Sequence, residues 1–234
     1  MSAAYALSFF DPDRELYGTV RSGATILFEH RKPAAHAEEA LIDREGEGWR
    51  AELDGRLSLR VAPVSREIDL DLVGASVCRV TGDVEGRAVD CLGTVTVTRE
   101  PPRWDELDAV RSISALVDEN NAVFALALRP RGAAGHGEEL VHAAMLKDGE
   151  LLEIEEARLS TVYDGDGRQR SAGLELWPRG EEFSRRGSGQ VIAGSSLELE
   201  TVRVHAAVFR WRIEGRDGIG AYELMVRNEP PSAA

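Results

Sequence analysis

Leu57-Ser58-Leu59-Arg60-Val61 and Ile68-Asp69-Leu70-Asp71-Leu72 place an apolar side chain at every second position. Successive side chains of a strand point to opposite faces, so each stretch reads as a strand with one side indoors and the other wet. Val95-Thr96-Val97 repeats the alternation. Working outward from these, the same criteria predict strands at 24–29, 76–81, 112–117, 123–128, 140–146, 172–177, 197–204, 207–213 and 221–226. The strands are punctuated by Asp54-Gly55, Asp83-Val84-Glu85-Gly86, Asp118-Glu119-Asn120-Asn121, Lys147-Asp148-Gly149, Asp164-Gly165-Asp166-Gly167 and Gly215-Arg216-Asp217-Gly218. Gly, Asn and Asp accept the positive φ that short hairpins need. Only 104–110, just after Pro101-Pro102, offers a helical piece, and it is one or two turns long. A parallel α/β fold needs a helix between most strands. The expected fold class is therefore all-β, an antiparallel meander. Such meanders hide their edges by closing into barrels or pairing as sandwiches, so two packed barrels, or one large barrel or sandwich, are expected. Pro101-Pro102 marks the expected boundary, giving β-domains at 1–102 and 103–234.

A chain of 234 residues buries a substantial core without disulfides or metal. Its 28 basic and 41 acidic residues leave a net charge of −13, which repels phosphate backbones and anionic lipid surfaces, so nucleic acid is not an expected partner. Only Lys32 and Lys147 are lysines, an arginine skew that fits a GC-rich bacterial genome. The N-terminus lacks a basic segment followed by an apolar run, and nowhere do about 18 apolar residues stand together, so neither secretion nor a membrane span is expected. Cys78 and Cys91 are too few for a disulfide scaffold and sit at no metal-finger spacing, which fits the reducing cytoplasm.

Motifs that carry chemistry are sparse. Counting from Asp164, Glu175 falls at the twelfth position of a calcium-type loop, but no helices flank it and a hairpin turn accounts for the run better. Gly187-Ser188-Gly189 and Gly215-Arg216-Asp217-Gly218-Ile219-Gly220 lie between strands rather than opening a helix that could hold phosphate, and read as turns or bulges. No nucleophile elbow, zinc-protease helix or Walker loop is present. The five histidines, His30, His36, His136, His142 and His205, match no standard metal spacing, so neither metal nor cofactor is expected. Trp104, Tyr163, Trp177, Trp211 and Tyr222 spread large apolar area with polar handles over several strands, as the walls of a pocket or an ordinary core would. Arg129, Glu139, Glu175 and Glu223 put ionisable groups on or beside half-buried strands, where an inward-facing carboxylic acid could serve as a proton donor.

Taken together, Tyr5-Ala6-Leu7-Ser8-Phe9-Phe10-Asp11-Pro12, the segment 82–92, Trp104 ahead of Arg111, Arg129-Pro130 through His136, and Leu174-Glu175-Leu176-Trp177 resemble, in type and order, the lipocalin-like superfamily of bacterial carotenoid 1,2-hydratases (hydroxyneurosporene synthases) and AttH-like proteins. The resemblance spans most of the chain. It implies two packed lipocalin-like barrels holding an apolar isoprenoid, lipid or polyketide-like molecule, and a cofactor-independent hydratase or cyclase acting by acid catalysis. For such chemistry the candidate acids are Glu175 and Glu139, with Tyr163 or His142 orienting water, and the candidate ligand site is Trp104, Arg129, Trp177, Trp211 and Tyr222. A non-catalytic carrier with the same pocket, and a structural β-protein with a filled interior, are the alternatives.

Overall fold

The computed structural model describes residues 4–21, 23–29, 32–36 and 39–228, with the backbone alone for 32–36 and His136. The first half forms β1 (Ala4–Asp11), β2 (Leu16–Arg21), β3 (Ala24–Glu29), β4 (Lys32–His36), β5 (Leu41–Glu45), β6 (Gly48–Leu53), β7 (Leu57–Pro63), β8 (Ile68–Asp69), β9 (Val73–Val84) and β10 (Arg87–Thr98). Apart from β8, which pairs with β9, they lie in the order β4-β3-β2-β1-β10-β9-β7-β6-β5, an open ten-stranded antiparallel sheet. The second half forms β11 (Leu107–Asp118), β12 (Asn121–Pro130), a 3-10 turn at His136–Glu138, β13 (Leu140–Lys147), β14 (Glu150–Tyr163), β15 (Gln169–Pro178), β16 (Arg185–Glu198), β17 (Val202–Ile213) and β18 (Arg216–Arg227). These eight strands close into an antiparallel barrel. The all-β antiparallel class stands; its form is one closed barrel and one open, curled sheet.

Three apolar clusters hold the molecule together. The sheet curls round its own core, built from the alternating residues of the opening motif, Leu57, Leu59 and Val61, with Leu7, Phe9, Trp49 and Val80. A second cluster fills the barrel, with Phe209, Trp211 and Tyr222 at its centre. The third joins the two halves: Phe10, Phe28, Leu70 and Val77 of the sheet meet Val110, Phe124, Leu126 and Val208 on the outside of the barrel. β12 is thus buried on both faces, which is why 122–128 is an unbroken apolar run rather than an alternation.

Several expectations are corrected. The 104–106 segment is a single turn, its N–H groups at Glu106 and Leu107 bonding Arg103 O, and β11 takes over at Leu107 instead of a helix. The strand expected at 197–204 is interrupted by a turn closed by Leu199 N–H to Val202 O. Gly187 and Gly189 lie inside β16, not in a turn, because a Cβ there would stand 2.6 Å from Ile213 Cδ1 and 2.7 Å from Trp211. Gly218 and Gly220 lie inside β18, where a Cβ would press on the Leu116 and Ser114 carbonyls of β11. The acidic run at 164–167 is a hairpin turn whose Asp164 carboxylate accepts the Asp166 and Arg168 N–H groups.

Candidate functional site

Where strand faces point decides which residues can meet. On β10, Val95 and Val97 enter the sheet's own core, so Thr94, Thr96 and Thr98 face the other way. Register places Ser8, Ala6 and Ala4 of β1 beside them, and Thr19 and Arg21 of β2 beside Ser8 and Ala6. This small, hydroxylated face looks toward the barrel. It roofs a cavity of about 300 Å³ whose floor is the outside of the barrel, with Ser112 and Ser114 of β11, Phe124 and Leu126 of β12, and Glu223 and Met225 of β18. Leu70, Leu72 and the linker residues Pro101, Pro102 and Trp104 complete its wall. The roof therefore offers hydroxyls, and the floor carbon together with the Ser112 and Ser114 hydroxyls and the Glu223 carboxylate.

Two contacts fix the cavity's geometry. The Arg21 guanidinium donates to the Glu223 carboxylate and, at 3.5 Å, to Met225 Sδ, tying sheet to barrel across the seam. Both partners are largely enclosed, with side-chain exposures of 20% and 14%. On the roof, Ser8 Oγ and Thr19 Oγ1 share a hydrogen bond of 3.0 Å. The linker is anchored beside the cavity by Arg99, whose guanidinium pairs with Glu67 at 2.5 Å and Asp69 at 2.7 Å.

A second polar centre lies in the barrel. Ile113 and Ala115 point inward on β11, and alternation carries Arg111 inward with them. Its side chain is 1% exposed, donating to Thr161 Oγ1 at 2.9 Å, Tyr222 Oη at 3.2 Å, the Leu159 carbonyl at 3.2 Å and the Glu139 carboxylate. Thr161 and Tyr222 hydroxyls share a further bond of 2.6 Å. Burial pushes the Tyr222 phenol well above its ordinary value, so it stays protonated. The adjoining barrel wall is incomplete: β13 and β14 pair only from Ala144↔Glu153 to Lys147↔Glu150, leaving the β14 edge beyond Glu153 without a β13 partner.

The residues singled out from sequence divide among these places. Trp104 lines the cavity between sheet and barrel. Glu139 and Tyr222 meet at Arg111, and Tyr163 ends β14, the strand that also carries Thr161 of that centre. Trp211 is wholly buried in the barrel, its ring 5.4 Å from Phe209, so it fills the interior rather than lining an empty one. Glu175 and Trp177 point outward because Leu174 and Leu176 take the inward positions of β15; Glu175 faces Arg186 at 3.3 Å, and Arg158 lies 4.8 Å over the Trp177 ring. His142 also points outward, 3.7 Å from Asp71 at the sheet–barrel seam. Arg129 reaches the Ala133 carbonyl at 3.4 Å. His30 lies outside the described residues, as do the side chains of His36 and His136; among the described residues no group of three or more His, Cys, Asp or Glu could hold a metal. No helix there is long and apolar enough to cross a membrane.

Comparison with known proteins rests on shape. No protein-family model matches the chain, and no curated protein matches its sequence. A putative AttH from Nitrosomonas europaea superposes with a TM-score of 0.67 at 10% identity, covering 95% of this chain and 91% of that one. The fold is that of an AttH-like protein. Kievitone hydratase from Nectria haematococca shares it at a TM-score of 0.59 and 9% identity, covering 97% of this chain and 89% of the hydratase. The resemblance to AttH-like proteins expected from the sequence is met at the level of fold.

Proposed function

We propose that this chain binds one small, mainly apolar molecule with a hydroxyl or carbonyl edge in the cavity between the sheet and the barrel. Segments 1–102 and 103–234 are then two domains whose seam is the ligand site. The observation that supports it is the mixed wall: threonine and serine hydroxyls above, and below them Phe124, Leu126 and Met225 beside Ser112, Ser114 and Glu223, in a space at the lower end of the roughly 300–1,000 Å³ range of small-molecule sites. An isoprenoid, lipid or polyketide-like compound has this combination of surfaces. Native mass spectrometry of the protein purified from its own host tests the reading. A mass increment that denaturation removes supports it; an unliganded mass that persists after incubation with such compounds refutes it.

A hydratase reading is favoured by one further observation. Among the described residues lining this cavity, Glu223 brings the only carboxylate other than Glu100, on the barrel side next to the Arg21 guanidinium. Adding water across a polarised double bond needs one group to deliver a proton to carbon and another to take one from water, and a positioned carboxyl can do either. Glu139 sits at Arg111 and Glu175 on the outer wall, so at this cavity the role falls to Glu223. With the bound compound identified, Glu223→Gln that keeps binding and loses product formation supports hydration; unchanged product formation removes Glu223 from the chemistry, and absence of product with the native protein leaves a carrier.

A further inference from the structure

We infer that Arg111 is the heart of a second binding site, selective for organic carboxylates, which the chain's own Glu139 occupies. Much of the barrel interior is apolar, and a charge there is costly without a partner. Three groups that recognise a carboxylate converge on one point: the Arg111 guanidinium, the Tyr222 phenol and the Thr161 hydroxyl. Arg111 Nε is buried with no hydrogen-bond partner, so the guanidinium keeps donor capacity that its present neighbours do not use. All three groups are held by strands, whereas the anion they grip comes from outside the strand framework.

Glu139 stands between the 3-10 turn and β13, at the end of a segment containing Gly132, Gly135 and Gly137. A Cβ at any of those three would meet nothing within 4 Å, so the glycines of this segment face open space. It enters where the wall between β13 and β14 is open, beside an open groove of about 1280 Å³ lined by Val141, Leu159, Thr161 and Leu174 together with Glu139 itself. A carboxylate entering from the groove meets the same three groups as Glu139 and leaves its carbon chain along Val141, Leu159 and Leu174. An entering carboxylate that takes over the pairing with Arg111 leaves water as the buried Glu139 carboxylate returns to it. A cationic receptor fixed by strands, gripping an anion supplied from outside them, has the geometry of a site occupied by its own competitor.

Calorimetric titration with sodium octanoate, and with 1-octanol as its uncharged counterpart, tests this. Glu139→Gln removes the competing charge and keeps the shape, so octanoate is expected to bind at least tenfold more tightly than to the native protein while octanol binding is unchanged. Arg111→Met with Glu139→Leu removes both charges together, leaving none buried alone, and is expected to bind no octanoate at this site. Ser112→Trp, which fills the cavity between sheet and barrel, is expected to leave the octanoate gain of Glu139→Gln intact. No gain in Glu139→Gln, an equal gain for octanol, or octanoate binding that survives in the double variant overturns the inference. Loss of the gain with Ser112→Trp also overturns it, and assigns the carboxylate to the other cavity. If Glu139→Gln does not fold, the native protein and the double variant decide: saturable octanoate binding in the first and none in the second is the expected pair.

Discussion

Gly189→Ala is a one-carbon test of the claim that the barrel interior is solid. Gly189 pairs with Trp211 across β16 and β17, and its added methyl would lie 2.7 Å from Trp211 Cε3 and Cζ3 and 2.8 Å from Phe209 Cδ1. Ordinary contact begins at 3.4 Å, so the indole must retreat by 0.7 Å (3.4 less 2.7). It has nowhere to go: Trp211 is fully buried and stacked on Phe209, which is itself 5.3 Å from Tyr222. Overpacking of this kind costs about 1–3 kcal/mol. For a chain of this size that lowers Tm by about 2–12 °C, taking 2–4 °C per kcal/mol. Thermal unfolding followed by far-UV circular dichroism reads it. Gly165→Ala is the control, because a Cβ there meets nothing within 4 Å and the exchange should be neutral or stabilising by up to about 1 kcal/mol. In a Trp211→Leu background the Gly189→Ala cost should fall by about 0.5–3 kcal/mol, the coupling of residues in contact. A Gly189→Ala protein as stable as its parent would refute the packed interior and reopen the barrel as a ligand cavity.

Other expectations follow from the same geometry. Arg111→Met alone takes the guanidinium away from the buried Glu139 carboxylate and should cost about 3–5 kcal/mol in urea unfolding, whereas Arg111→Met with Glu139→Leu should recover most of it. Burial pushes the Cys78 and Cys91 thiols up to about 12 and about 11, so neither should react with a disulfide reagent at pH 8 until the protein is unfolded. Those two thiols and the raised Tyr222 phenol all hold protons in the folded state that the unfolded chain releases from about pH 9–10. The unfolded state then binds fewer protons, so stability is full below pH 9 and should fall as pH rises above it; Cys78→Ala with Cys91→Ala should flatten the first part of that decline in pH-dependent urea midpoints. Arg21→Met should leave Glu223 without its cation at the seam and weaken capture of a neutral apolar ligand, measured by calorimetry, if the ion pair holds the cavity's shape.

Period-two patterning made the all-β class legible, and its exceptions tell more than its successes. β14 was missed because it opens Glu150-Leu151-Leu152-Glu153-Ile154-Glu155-Glu156, where the carboxylates break the alternation. They are tolerated because much of this strand is exposed and beyond Glu153 its edge has no β13 partner. The β16 strand was hidden by Gly187 and Gly189, which read as a turn yet are demanded by the bulk of Trp211 and Ile213 opposite. Alternation also separated Val95 and Val97 from Thr94, Thr96 and Thr98, but could not say that the threonine face looks into a second body rather than water. That knowledge needs the packing of sheet on barrel, which no local pattern encodes. Arg111 was legible in principle: it sits two residues before Ile113 on a strand whose odd positions are apolar. A charge at such a position is the mark of an internal polar centre.

The central claim is the cavity between sheet and barrel, and titration with the neutral fluorophore N-phenyl-1-naphthylamine tests it most directly. The account predicts saturable binding at one site per chain in the native protein, abolished both by Ser112→Trp from the floor and by Thr96→Phe from the roof. Absence of saturable binding in the native protein, or binding that both filled variants retain, would contradict it.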